Sequence, residues 1–250
     1  MPPPQPKRLL LARLLLCSLA AASGVRATTV TLAPVADTTL FETFPDDNLG
    51  GLTNFVSGTT ATGFTNRALI KFDIAGAIPS NAIIEQVNLG VTVSKTQAAQ
   101  PSLFSLHLML ADWGEGVGNG GNIGSPAMAG EATWFYSFFP DIAWFVPGAA
   151  APIDFVGTAS ATQTIGFEGS YNFTSTHQLV ADVQYWLTNV AGNFGWILVC
   201  EDEATLQTSR RFGSREDPVN FPTLTVEYST QPHVILTPVA DTSLFESLPA

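Results

Sequence analysis

The stretch Arg67-Ala68-Leu69-Ile70-Lys71-Phe72-Asp73-Ile74 alternates along its whole length: Ala68, Ile70, Phe72 and Ile74 fall on one face of an extended chain, and Arg67, Leu69, Lys71 and Asp73 on the other. A period of two with one apolar face reads as a strand that has one side in a core. Similar short runs follow at Ile83 to Val93, Leu103 to Ala111, Gln163 to Phe167, Gly195 to Cys200 and Thr223 to Tyr228, separated by clusters of Gly, Pro and Asn. Many short strands divided by turn residues predict an all-β fold, a sandwich of two packed sheets.

Two regions break the alternation. Between 175 and 189 the pattern is helical: Ser175 can cap, Gln178 lies three residues on, and Leu179, Val183, Trp186 and Leu187 recur at i, i+4, i+7 and i+8. One amphipathic helix of about three turns is expected there, ending near Asn189 and plugging an end of the sandwich or covering a sheet edge. From Asp112 to Asp154 the chain is rich in Gly and aromatics, with Trp113, Trp134, Phe135, Tyr136, Phe138, Phe139, Trp144 and Phe145 in a stretch of little alternation. Such aromatic content is foreign to disordered segments, so an ordered loop packed over one side of the sandwich is expected.

The 250 residues are 46% hydrophobic and 12% charged, with 21 Asp+Glu against 10 Lys+Arg and a net charge of −11. Phosphate neutralisation needs a surplus of Lys and Arg, so nucleic acid is excluded as a partner class. Lys7, Arg8 and Arg13 lead into the leucine-rich run Leu14 to Ala22, and Val25-Arg26-Ala27 offers small residues for cleavage. Residues 1–27 therefore read as a secretory signal. The run is shorter than the roughly 20 apolar residues of a spanning helix and no later run reaches that length, so no membrane insertion is expected. Leu16 occupies the place where a lipidated cysteine needs a small residue, which argues against an anchor at Cys17. The expected location is secreted, extracellular or cell surface. Without the leader six basic residues face 21 acids, a net −15, and Cys200 stands alone, leaving the fold to be stabilised by its core rather than by disulfides.

Residues 30–45, V-T-L-A-P-V-A-D-T-T-L-F-E-T-F-P, return at 234–249 as V-I-L-T-P-V-A-D-T-S-L-F-E-S-L-P, at a constant offset of 204 without a gap. This divides the chain into the leader (1–27), one complete unit (28–229), and a linker with the first strand of a truncated second copy (230–250). A tandem copy in cis is the expected context. The alternative is a strand that pairs with a neighbour's sheet edge.

The motifs A-D-T-T-L-F-E and P-D-D-N-L-G-G (within 36–51), N-R-A-L-I-K-F-D-I (66–74), W-G-E-G followed by G-E-A-T-W (113–134), A-D-V-Q-Y-W-L (181–187), N-F-G-W-I-L (193–198) and R-R-F-G-S-R-E followed by P-T-L-T-V-E-Y (210–228) together resemble the DNRLRE-domain proteins. The resemblance runs from about Val30 to Tyr228. It implies a jelly-roll-type β-sandwich of secreted or surface proteins, often repeated in tandem, with relatives beside polysaccharide-degrading domains and one related group regarded as a carbohydrate-binding module. The name-giving hexapeptide is only partly present: Phe212-Gly213-Ser214-Arg215-Glu216 keeps the final Arg-Glu.

No nucleophile elbow, zinc-protease or phosphate-loop pattern is present, and His107, His177 and His233 sit in no recognisable motif. The acids Asp112, Glu115 and Glu131 flank the aromatic loop. They read as turn acids, as oxygen ligands for calcium, or most remotely as a glycosidase carboxylate pair. Of the six basic residues beyond the leader, Arg67 and Lys71 share one face of a strand, and Arg211 and Arg215 would share a face if the chain stays extended. Were the two strands neighbours, these four would form a basic patch suited to the carboxylates of an anionic polysaccharide. Internal pairing with acids, Glu216 and Asp73 being nearest in sequence, is the competing reading. Trp113 and Trp134 offer faces on which a sugar could stack, against the commoner fate of large aromatics in a core. The expected role is thus a non-catalytic binding or structural module, with polysaccharide the favoured ligand. A polysaccharide-active enzyme and a plain spacer are the alternatives.

Overall fold

The computed structural model describes residues 27–121 and 123–230; the expected leader up to Arg26 and the second copy at 234–249 lie outside the described residues. Eleven strands build the main sheet system: β1 (Ala27–Leu32), β2 (Ala36–Phe41), β3 (Asn54–Thr59), β4 (Thr65–Lys71), β5 (Ala82–Thr96), β6 (Ser102–Leu108), β7 (Ala161–Ile165), β8 (Gly169–Phe173), β9 (Trp196–Cys200), β10 (Arg210–Gly213) and β11 (Thr223–Thr230). Every pairing is antiparallel, along the path β1-β11-β5-β10-β3-β4-β9-β6-β7, with β2 joined to β4 and β8 to β5. The expected all-β sandwich-like fold is what forms.

One hydrogen-bonded path becomes two layers because β3 changes sheets. Its residues 54–57 pair with β10, whereas Gly58 and Thr59 pair with β4. Gly58 makes the bend at φ +103°, and a Cβ there would lie 2.6 Å from the Thr208 carbonyl oxygen, so both the backbone conformation and the close approach require glycine.

The inner core fills the space between the layers. Val87, Leu89, Val91 and Val93 of β5, Phe212 of β10 and Leu224 and Val226 of β11 meet Ala68 and Ile70 of β4, Phe104 and Leu106 of β6 and Trp196 and Leu198 of β9. Cys200 is a free, buried thiol in the same core, and burial pushes its pKa up. The helix α1 (His177–Thr188) closes this core with Leu179, Val183, Trp186 and Leu187, the stripe expected from the sequence. Its cap is Thr176 rather than Ser175: the Thr176 hydroxyl accepts from the Leu179 amide at 3.0 Å, while the Ser175 hydroxyl accepts from the Val87 amide of β5. Gln178 lies too early to close a capping box and donates to Asp182 instead. Among the described residues no helix is long and apolar enough to cross a membrane.

The second face of β4 is also covered. Leu69 and Ile197, which point away from the inner core, join Leu40, Met109, Trp113, Trp134, Trp144 and Phe155 in a separate buried cluster. The Asp112–Asp154 stretch supplies the three tryptophans of this outer layer, so the expected loop over one side of the sandwich is present. β4 accordingly has a core on both sides.

Candidate functional site

The two β4 cations are committed to holding the outer layer. Arg67 makes a two-pronged ion pair with Glu203, both contacts at 2.7 Å, and its Nη1 donates to the carbonyls of Gly148 and Ala149. Its guanidinium also lies over the Trp134 ring at 5.9 Å. Lys71 pairs with Asp112 at 3.3 Å and lies over the Trp113 ring at 5.6 Å. Both tryptophans are buried, Trp113 at 3% and Trp134 at 8% exposure, and the Trp113 indole N–H donates to the Phe194 carbonyl. As sugar-stacking platforms they are corrected by the structure: their faces are used by the cations and by neighbouring apolar side chains.

Arg211 and Arg215 do not join them in one patch. β10 lies between β3 and β5, whereas β4 runs in the other layer, and β10 ends at Gly213 so that Arg215 falls in the following turn rather than on the same strand face as Arg211. Arg215 Nε contacts Glu115 Oε1 at 2.6 Å and Glu216 Oε1 at 2.8 Å, and the Arg215 amide donates to Asp37 Oδ2 at 2.7 Å. The Asp37 amide in turn donates to Glu115. Burial works against the Arg215 charge, but Glu115 and Glu216 outweigh it and raise its pKa. Asp37, 1% exposed, is pushed up to about 8 by burial, the Arg215 amide opposing and the neighbouring Glu216 and Glu115 charges adding to the rise.

Asp37, Glu115 and Glu216 are the one group of three metal-type ligands within 4.8 Å of one another among the described residues. This corrects the expected calcium set. Asp112 faces Lys71, and Glu131 accepts from the amides of Val117 and Met128, both at 2.9 Å, so neither joins Glu115. The cluster that does form is already neutralised in part by Arg215, and a protonated Asp37 is a poor calcium ligand. Asp37 is no sequence candidate, and Glu216 is one only as an acid that could pair with the arginines, as it does with Arg215 at 2.8 Å. Glu216 is in the Arg-Glu remnant, and Asp37 is in the A-D-T segment that the chain repeats at 240–242.

What remains is a pair of strand residues without an acid. Arg211 of β10 lies directly opposite Lys95 of β5 in register, and among the described residues neither has a carboxylate within 4.0 Å. A β-bulge between Arg211 and Phe212 disturbs the ladder at this point. With Val56, Thr96, Gln97 and Ser209 the two cations line an open pocket of about 120 Å3. The adjacent Arg210 turns the other way: it is fully buried, its guanidinium donates to the carbonyls of Gln207, Thr208, Ser209, Gln100 and Ile165, and burial lowers its pKa. Lys95 escaped the sequence reading because nothing in its own neighbourhood marks it; only the cross-strand register brings it to Arg211.

A serine–histidine contact also emerges. Ser105 Oγ lies 2.9 Å from His107 Nε2 and donates to Glu201, while His107 Nδ1 meets the Val156 carbonyl at 2.9 Å. Ser105 is fully buried and the histidine ring packs on Phe155, so this network ties β6 to the chain around Val156 rather than presenting a nucleophile. Compared with known proteins, the chain matches no family model and no curated protein.

Proposed function

We propose that the chain is an exported, non-catalytic module that binds an anionic polysaccharide through the Lys95–Arg211 pocket. One observation carries this reading: two like charges stand directly opposite each other across a β-ladder in a strongly acidic chain, with no acid within 4.0 Å of either among the described residues. Such a pair costs stability in the free protein. A carboxylate of a uronic-acid polymer seated between them turns that repulsion into attraction, with Arg211 able to offer a bidentate fork and Lys95 a point charge. Thr96, Gln97 and Ser209 around the cations supply the hydroxyl and amide groups that sugar hydroxyls need. The leader-like segment and the motif resemblance to secreted sandwich modules agree with this setting.

The test is retention of the protein on a panel of uronic-acid and neutral polysaccharides by affinity electrophoresis, with product release scored in parallel. Retention on the uronic-acid polymers that is lost in K95A/R211A supports the reading. Equal retention of wild type and double variant, or cleavage of any polymer, overturns it.

A further inference from the structure

We infer that the polysaccharide of the Lys95–Arg211 pocket continues along β5 over the outer face of its sheet, in a furrow floored by Gly90, so that the module grips several consecutive sugar residues rather than a single carboxylate. This rests on the pocket as the ligand site and extends it. The two layers differ on their outer faces. That of β4 is buried under the tryptophans of the outer layer. In the layer of β5, Val87, Leu89, Val91 and Val93 enter the inner core, so Asn88, Gly90, Thr92 and Ser94 take the opposite face by strand alternation. All four are exposed or half-exposed, as are Ser170 and Asn172 of β8 and Thr223 and Thr225 of β11 beside them, so among the described residues nothing covers this face.

Register gives this face its relief. Asn172 of β8 and Thr223 of β11 stand opposite Gly90 on its two sides, Thr225 stands opposite Asn88, and Ser170 opposite Thr92. Gly90 is thus a notch between an amide and a hydroxyl side chain. A glycine inside a long strand weakens it and marks a bulge, a bend, or the close approach of a ligand or another backbone. Gly90 has no left-handed φ, neither register break of β5 with β10 and β11 falls at it, and a Cβ there would meet nothing nearer than the rotatable Thr223 hydroxyl at 3.0 Å. A ligand is the reading that remains. From the notch, Thr92 and Ser94 lead along the strand to Lys95, about 17 Å away at roughly 3.4 Å per residue, a span for more than one sugar residue. None of these strand positions carries an acid, in a chain with 21. Glu227 stands opposite Gln86, on the side away from Lys95, and Glu168 lies in the bend before β8. A polyanion is therefore drawn to the cations at one end and meets uncharged groups along the rest, whose hydroxyls and amides offer both donors and acceptors to sugar hydroxyls.

The test measures affinity for the dimer and the hexamer of whichever of polygalacturonate, polymannuronate and polyguluronate retains the protein. The hexamer should bind about tenfold or more tightly than the dimer. Two variants probe the furrow away from the cations: N172W fills the notch, and N172A/T223A removes its polar groups. Either should narrow the hexamer-to-dimer ratio by about tenfold. N172A/T223A adds no bulk, so it reads the furrow even where the tryptophan disturbs β8. An unchanged ratio in both variants, with both oligomers lost in K95A/R211A, overturns the furrow and leaves the pocket standing. Equal affinity of the unsubstituted chain for dimer and hexamer does the same. Retention on none of the three polymers overturns the pocket and the furrow with it.

Discussion

The two faces of β4 solve the same problem with different means. Its Ala68–Ile70 face is buried by regular neighbours, strands of the opposite layer and the α1 stripe, in a core of aliphatic and aromatic side chains. Its Leu69 face is buried by irregular chain whose tryptophans are held in place by Arg67 with Glu203 and Lys71 with Asp112 at the rim. A sheet or helix brings its own backbone hydrogen bonds, so packing alone fixes it. A loop must have its backbone groups satisfied piecemeal, and at Gly148 and Ala149 the Arg67 guanidinium does so.

If that distinction is right, damage to the inner core is global and damage to the outer layer is local. The largest effect is expected for W196A. Trp196 packs on Trp186 at 4.4 Å between ring centroids, and its indole N–H donates to the buried Asp182 at 2.8 Å. Removing it should cost about 3–5 kcal/mol and lower protection from hydrogen exchange throughout both layers. R67A should cost less, about 1–3 kcal/mol, and raise exchange over residues 134–149 while β5 and β11 stay protected. Uniform loss of protection in R67A would dissolve the comparison.

The Asp37 cluster sharpens it, because it joins β2 to the loop at Glu115 and to the turn at Arg215. An acid whose pKa rises on folding from 3.8 to about 8 binds more protons folded than unfolded. Its stabilising contribution is complete below about pH 4 and is lost progressively as the pH rises to about 8. Burial raises Glu115 too, which acts in the same direction. D37N, whose amide oxygen can still accept from the Arg215 amide, should flatten the fall in Tm between pH 5 and 8; an unchanged slope would place the titration elsewhere. The smallest effect is expected at the Lys95–Arg211 pair. K95E exchanges a cross-strand repulsion for an ion pair and should raise stability by a few tenths of a kcal/mol while abolishing retention on anionic polysaccharide. A fall in Tm would show that Lys95 has a structural role.

The strand pattern, the helix stripe and the aromatic loop were legible because each depends on residues near one another in sequence. Ala68, Ile70 and Phe72 betray a strand face whatever they pack on, and Leu179, Val183, Trp186 and Leu187 betray a helix face. The helix cap lies one residue later than the sequence suggests because Ser175 and Thr176 are equally good caps until the Val87 amide claims the Ser175 hydroxyl. The basic patch is not legible for a stronger reason: whether Arg67 and Arg211 are neighbours depends on which layer each strand enters, and local periodicity carries no information on layers.

By itself the sequence determined the all-β class, the place of the one helix, the acidic balance and the repetition of 30–45 at 234–249. Composition, periodicity and self-similarity are properties of the chain before it folds. Tertiary structure alone decided that β4 is buried on both faces, that Arg215 answers Glu115 across 100 residues, and that Lys95 and Arg211 face each other with no acid beside them among the described residues. Charges act through space over a few ångströms, and only the folded register sets which of them come that close.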